Sequence, residues 1–437
     1  MRKFWLQSLA NTVFVFLMLW GVSGITDFKF FSAFDPISQA LTDFELTDYA
    51  FSKLRPDQTV DERIIIINLA LSRREMAQQI QVINQYKPKV IGIDSFFNCE
   101  GNLRDSINCP QLKDTLGNLL LSSAIADAGN VVLVSKLLQK RKTAESNVID
   151  QYDSIEYSDP IFKENSKRNS FANLATEAVY QEDVKLCRKF IPKVSVNGKD
   201  EYAFAVGMAM LYDSVKAKKF LARNNEEEVV NYRGNVEVQD VRLKALQNKD
   251  LGTTNFNAMF YAIDWDDLLA GEVAADLFKD RIVIMGFMGD YFGDPAWSDK
   301  YFTPLNKKVA GRANPDMFGV VVHANILAMI LNEDYVNELA DWQKYFIAFI
   351  VCLLTVALFI FIDRKLPAWF DALSVLIQVF QILVFSFVMV EVFANFSLKL
   401  DLSLTLAVSA LVGPAYDIFK SFQNEINIRL TKRRQAV

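Results

Sequence analysis

Two hydrophobic rhythms divide the chain. Between residues 63 and 137, short runs rich in Ile and Val alternate with stretches whose apolar residues recur at helical spacing. "RIIIINLA" (63–70) is followed by "SRREMAQQIQVINQY" (72–86), with Met76, Ile80 and Ile83 on one face, and then by "KVIGIDSFF" (89–97). Nearly continuous apolar runs predict strands buried on both faces, and the periodic stretch between them predicts a crossover helix. The theme returns in "LGNLLLSSAIADAG" (116–129), a helix before the strand "NVVLVSKL" (130–137), and in "AADLFKDRIVIMGFMG" (274–289). Such alternation predicts an α/β domain with a largely parallel sheet. Residues 138–200 are polar, without clear periodicity, and read as loops and peripheral excursions; 200–221 reads as one helix.

The second rhythm is an unbroken apolar run long enough for a bilayer, which takes about 20 helical residues. Four segments qualify: Leu9 to Ile25, Trp342 to Ile362, Ala368 to Ala394, and Leu402 to Phe419. The first could also be a cleaved signal peptide, since "GVSG" offers small residues to a peptidase, but its apolar core is long for one and an uncleaved anchor is expected. This division gives a membrane anchor at 1–25, an extracytoplasmic domain at 26–341, three further spans (342–362, 368–394, 402–419) and a basic tail at 420–437. Arg2, Lys3, the "DRKL" turn (363–366) and the tail residues Arg429, Lys432, Arg433 and Arg434 all fall on one side of such a layout. The positive-inside tendency makes that side cytoplasmic, so both termini are expected there, with the main domain in the periplasm of a bacterial inner membrane.

Composition agrees with this division. Hydrophobic residues make up 51% of the 437-residue chain and 35 are Phe, yet the formal net charge is −5, as for a membrane protein carrying a water-soluble part. Nothing in the charge pattern suggests nucleic-acid binding. With four cysteines and one histidine, the chain has little material for a zinc site, and neither metal nor cofactor is expected. Cys99 and Cys109 flank a short polar loop that an oxidising periplasm would let close, contributing roughly 2 to 3 kcal/mol; pairing of either with Cys187 is the rival arrangement.

Residues 278–336 resemble the end of the type-two CHASE domain, an extracellular sensory module of bacterial cyclases and histidine kinases. Arg281 to Gly286 ("RIVIMG"), Asp294, the pair Thr303 and Pro304, Gly319 and Val320, and His323 to Leu327 ("HANIL") match the family's elements in order. Upstream, "KPKVIGIDSFF" (87–97) resembles the family's second strand, which ends in an aspartate, here Asp94, and "LRPDQTVDERIIIINL" (54–69) resembles its beginning. The resemblance covers most of residues 30–335 and implies a sensory α/β domain with one anchor before it and three after. The chain departs from the family in three places: "NLALSRREM" stands where members usually end the first strand in paired aspartates, a longer insert separates "TP" from "HANIL", and the roughly 18 residues after the last span are too few for a kinase or cyclase.

Ligands in parallel α/β sheets bind beyond the carboxyl ends of the strands. Asp94 and Ser95 end one strand and Asp290 and Asp294 follow another, so with Thr303 and His323 they form the candidate ligand-binding set; the bland alternative is that such aspartates cap helices and order loops. "GFMGDYFGD" (286–294) lacks the spacing of either nucleotide-binding fingerprint. A hydrolytic triad would have to use His323, and no "GxSxG" elbow accompanies it. That histidine, flanked by "VVV" and "ANILAMIL", reads as a structural junction between a buried strand and a helix. Within the spans, Gln378 and Gln381 lie deep, Glu391 and Asp417 lie near the ends, and Gly413 with Pro414 marks a kink.

The sequence thus predicts a non-enzymatic sensor that perceives a small-molecule or protein ligand and relays it to a separate membrane or cytoplasmic effector. A structural or assembly subunit is the alternative, and self-association into a homo-oligomer is left open.

Overall fold

The computed structural model describes residues 2–26, 48, 50–54, 59, 61–99, 103–105, 107, 109–138, 152–174, 186–236, 260–271, 273–294, 296–306 and 314–435. The chain divides into two compact units, one within Pro56–Val336 and the other drawn from the two ends of the sequence.

The Pro56–Val336 unit is built on a sheet of seven strands among the described residues. In chain order these are β1 (Ile64–Asn68), β2 (Val90–Asp94), β3 (Val131–Leu138), β4 (Ser154–Tyr157), β5 (Arg168–Phe171), β6 (Tyr261–Ile263) and β7 (Ile282–Gly286). They run in the order β6, β1, β7, β2, β3, and β3 also pairs with β4 and β5; all pairings are parallel except β3 with β4. The late strand β7 fills the slot between β1 and β2. Its register sets Asn68 opposite Gly286 and Gly286 opposite Asp94, aligning three strand ends along one edge.

Both faces of the sheet are covered, which is why every residue of β1 and β7 is buried and the runs are uniformly apolar. The chain opens with helix α1 (Arg2–Thr26), which belongs to the other unit. On one face of the sheet lie α2 (Arg73–Gln85) and α3 (Thr115–Ala128), which set Met76, Ile80, Ile83, Leu121 and Ile125 against Ile65, Ile91, Val283 and Val131. Ser72 caps α2 by accepting from the Glu75 backbone N–H, and Asp114 caps α3 through Gly117. A short α4 (Pro160–Lys163) follows β4. The opposite face takes α5 (Phe204–Tyr212), which packs on β2, β3 and β5; beyond it come α6 (Ser214–Leu221) and α7 (Trp265–Ala270). Beside α5, α8 (Gly319–Asn332) packs on β1 and β7, so close that a Cβ on Gly286 would stand 2.5 Å from that of Val320.

Three expectations need correction. Residues 200–221 are not one helix: a strand (Lys199–Tyr202) comes first, and Asp213, whose carboxylate accepts from Val215 N and Lys216 N, caps a second helix. Part of the supposed loop region 138–200 joins the sheet as β4 and β5; residues 139–151 and 175–185 lie outside the described residues. The "VVV" before His323 is helix, not strand. The strand there is only Met317–Phe318, and the wholly buried position of α8 outweighs the modest helix cost of β-branched residues.

The second unit contains α1 with α9 (Asp341–Lys365), α10 (Phe370–Phe396) and α11 (Ser403–Gln435). Among the described residues, three helices are long and apolar enough to cross a membrane, over Arg2–Gly21, Asp341–Lys365 and Pro367–Phe396. The expected fourth span lies within α11, which runs on through most of the expected tail without a break and packs against the other three. Val15, Cys352, Val356, Phe359, Val408 and Val412 form the core of this unit.

Candidate ligand-binding site

A cavity of about 350 Å³ opens where β2, β3 and β5 end, roofed by α8. That volume lies within the range of small-molecule sites, about 300 to 1,000 Å³. Strand pleating places it: Asp94 has the same parity as Val90 and Gly92, so its side chain emerges on the α5 and α8 face. Its carboxylate Oδ2 lies 4.0 Å from His323 Nε2 on the second turn of α8. His323 in turn meets Phe204 of α5 edge-on, with ring centroids 5.3 Å apart. The histidine therefore ties α8 to α5 at the wall of the cavity, from inside the helix and not at its junction with a strand.

The walls are polar at selected points. Ser95 follows Asp94, Ser135 and Lys136 come from β3, Asn173 follows β5, and Asp299 with Tyr301 approaches from the loop before α8. Ser135 is fully buried and its Oγ has no hydrogen-bond partner among the described residues; the same holds for His323 Nδ1 on a side chain only 4% exposed. A buried polar atom without a partner costs about 1 to 3 kcal/mol, and these two are closed off from the hollow itself, so they count as local costs of the packing around it. Asp299 adopts φ 55°, a left-handed backbone that costs a non-glycine residue on the order of 1 kcal/mol and persists only where its surroundings fix it.

Burial governs the charges. It pushes the Asp94 pKa up to about 7 and brings that of His323 down to about 4, against a raising hydrogen bond with the Ala172 backbone. Burial, then the nearby Asp299 and Asp94 carboxylates, raise the Tyr301 phenol, which stays protonated.

Of the six residues in the predicted set, Asp94, Ser95 and His323 line this cavity. The other three do not, and they order loops. Thr303 donates its hydroxyl to Asp316 Oδ2 at 2.6 Å and its backbone N–H to Oδ1 at 2.9 Å. Asp294 accepts from the backbone of Ala296 and Asp290, which hold its carboxyl below the usual range; Asp290 supplies backbone groups to that turn. The reason these strand ends do not converge is a plug at the end of β1. Asn68 donates to Asp264 Oδ1 and to Gly289 O and accepts from Met288 N, while Gln79 bonds the Asn68 carbonyl. This network closes the β1 and β7 edge, leaving the crevice over β2 and β3. Sequence reasoning missed Ser135, Lys136, Asn173, Asp299 and Tyr301. Only the first two carried a signal, as polar residues at the carboxyl end of a predicted parallel strand.

Away from the crevice, Cys99 and Cys109 stand at disulfide distance, their Sγ atoms 2.07 Å apart; Cys187 is buried and free.

A largely parallel sheet covered by helices, with a polar cavity at its strand ends, defines a mixed α/β domain. The family comparison makes this specific: the CHASE2 domain model matches residues 29–359, most of the chain, and the chain belongs to the CHASE2 family. CHASE2 domains are extracellular sensors rather than catalysts. A comparison with curated proteins finds no match, and neither does one with solved structures.

Proposed function

We propose that the chain is an inner-membrane sensor whose periplasmic domain binds a small polar molecule in the crevice beneath α8 and relays its presence through the membrane helices to a separate effector protein. The observation that carries this reading is a cavity of ligand size whose lining includes the polar residues Asp94, Ser95, Lys136, Asn173, Asp299 and Tyr301. Position supports it as well, since crevices at the carboxyl ends of parallel strands are where such sheets bind ligands. The relay follows from sequence order: α8 roofs the crevice, and α9, the next helix in the chain, is long and apolar enough to span a bilayer. A ligand that binds better with α8 in one of two positions shifts the population toward that position by its difference in affinity. The arrangement suggests no catalytic role for His323, whose ring is held neutral and packed against Phe204.

The test is the melting temperature of the full-length protein in mild detergent, with and without the low-molecular-weight fraction of a cell extract. A rise that Ser95→Trp abolishes by filling the crevice supports the sensor. A stoichiometric protein complex that ignores both the extract and that substitution points to the assembly subunit.

A further inference from the structure

We propose that a second hollow, between the N-terminal ends of α2 and α3, binds a small organic carboxylate through the open edge of the Arg73 guanidinium, with the ligand's apolar body against Leu112 and Leu119. This hollow shares no lining residue with the crevice roofed by α8, and the proposal stands independently of that site.

The hollow has a volume of about 220 Å³. At about 30 Å³ per water in the liquid, that is room for about seven waters, so its guest is small. Phe97, Asn98 and Cys99, which follow β2, form part of the lining, with Arg73 from the first turn of α2 and Thr115 from the first turn of α3. Phe97 and Phe162 are buried, with ring centroids 5.3 Å apart. The Arg73 guanidinium lies over both rings, 6.0 Å from the first centroid and 5.2 Å from the second, which fixes its plane. Leu112 and Leu119 add apolar wall on side chains that stay exposed.

Arg73 is the group that calls for an anion. Burial pulls its pKa down, opposed by the fields of Asp159 and Asp114. Neither acid pairs with it. Asp159 lines the hollow too, but its Oδ2 faces Arg104 Nη2 at 3.3 Å and its Oδ1 accepts from the Ile161 backbone N–H. Asp114 is held by Arg74 at 2.6 Å. Arg73 Nη1 donates to Asn118 Oδ1 and to the Gln111 carbonyl. Among the described residues Nε and Nη2 donate to nothing, and neither is sealed from solvent. Those two atoms form the side-on edge of the guanidinium, a pair of parallel N–H donors that matches the two oxygens of a carboxylate. One arginine neutralises a monocarboxylate but not a phosphate dianion, and the exposed leucines favour a guest with an apolar body over a bare inorganic ion. The positive ends of α2 and α3 add to the preference for a negative charge.

The probes are benzoate, its neutral isostere benzamide, and inorganic phosphate, each added at matched ionic strength and neutral pH to the full-length protein in mild detergent while thermal unfolding is followed. The expected result is a saturable rise in melting temperature with benzoate alone. In Arg73→Gln, shown to be folded by its own cooperative melt, the apparent affinity for benzoate is expected to fall at least about tenfold, as for loss of a charged hydrogen-bonding pair. Should that variant not melt cooperatively, Leu119→Glu replaces it: the position is exposed, and a negative charge beside the hollow is expected to abolish the response. Ser95→Trp, which fills the other crevice, is expected to leave the benzoate effect intact. An equal response to benzamide or to phosphate would overturn the carboxylate assignment. A benzoate effect that survives Arg73→Gln or Leu119→Glu, or that Ser95→Trp abolishes, would overturn the site. The absence of any saturable response to benzoate would overturn the proposal as well.

Discussion

Asp94 and His323 illustrate how burial sets chemistry one residue at a time. Each is pushed toward its neutral form, and the two shifts oppose each other in their effect on stability. Between about pH 4 and pH 6.5 the folded state holds Asp94 protonated and His323 neutral, whereas the unfolded chain holds the aspartate ionised and the histidine charged. Each state binds one proton across the pair, so the pair contributes no slope of stability with pH in that window. Single substitutions unmask the two halves. In Asp94→Asn only the histidine remains; the unfolded state then binds the extra proton, and stability relative to wild type should rise with pH by about 1.4 kcal/mol per unit between pH 4 and 6.5. In His323→Gln the aspartate remains, the folded state binds the extra proton, and relative stability should fall by a similar slope. Denaturant unfolding at several pH values checks both signs; parallel profiles for the two variants would contradict the account. Of this pair, Asp94 was legible as a strand-end aspartate and His323 as a structural residue. Their proximity was not, because it depends on α5 and α8 sharing one face of the sheet.

At the level of elements, two substitutions of ordinary pattern explain local structure. Pro414 sits inside α11 and lacks the N–H that the Ala410 carbonyl would accept. Gln378 of α10 supplies the missing donor: its Nε2 bonds Ala410 O and Ser409 O, both at 2.9 Å, and Gly413 leaves room for that amide, since a Cβ there would stand 2.6 Å from Gln378 Oε1. Gln381 makes a second cross-helix bond, to Thr355 Oγ1 at 2.7 Å. Gln378→Leu is expected to destabilise the helices by about 1 kcal/mol, and by less in a Pro414→Ala background where the backbone donor is restored; a double-mutant cycle in detergent unfolding would read equal costs if the clasp has no such role. The sequence carried the glutamines and the Gly-Pro pair, but not their pairing, which needs the register between two helices. The second case is Asn68, the last residue of β1. Its amide donates to Asp264 at 2.8 Å, so Asn68→Asp exchanges a donor for a second carboxylate. The expected loss is about 2 to 4 kcal/mol at pH 8, relieved near pH 4 as a carboxyl protonates, measured by thermal unfolding. The strand, helix, strand order from 63 to 137 was legible because both periodicities are strong there. The break at Asp213 was missed because one capping residue interrupts an otherwise continuous apolar pattern, and β4 and β5 were missed because short strands at a sheet margin carry little periodicity.

For the whole molecule, membership of the CHASE2 family and the polar crevice at the strand ends lead to the same reading, that of a membrane-bound sensor. Its central claim is that the crevice under α8 takes a small molecule. Hydrogen exchange of the full-length protein in a lipid nanodisc, with and without the low-molecular-weight extract fraction, tests this most directly. The account predicts added protection at residues 94–96, 134–136, 172–174 and 319–323, lost in Ser95→Trp. Protection elsewhere with these segments unchanged, or the same protection in the filled variant, would contradict it.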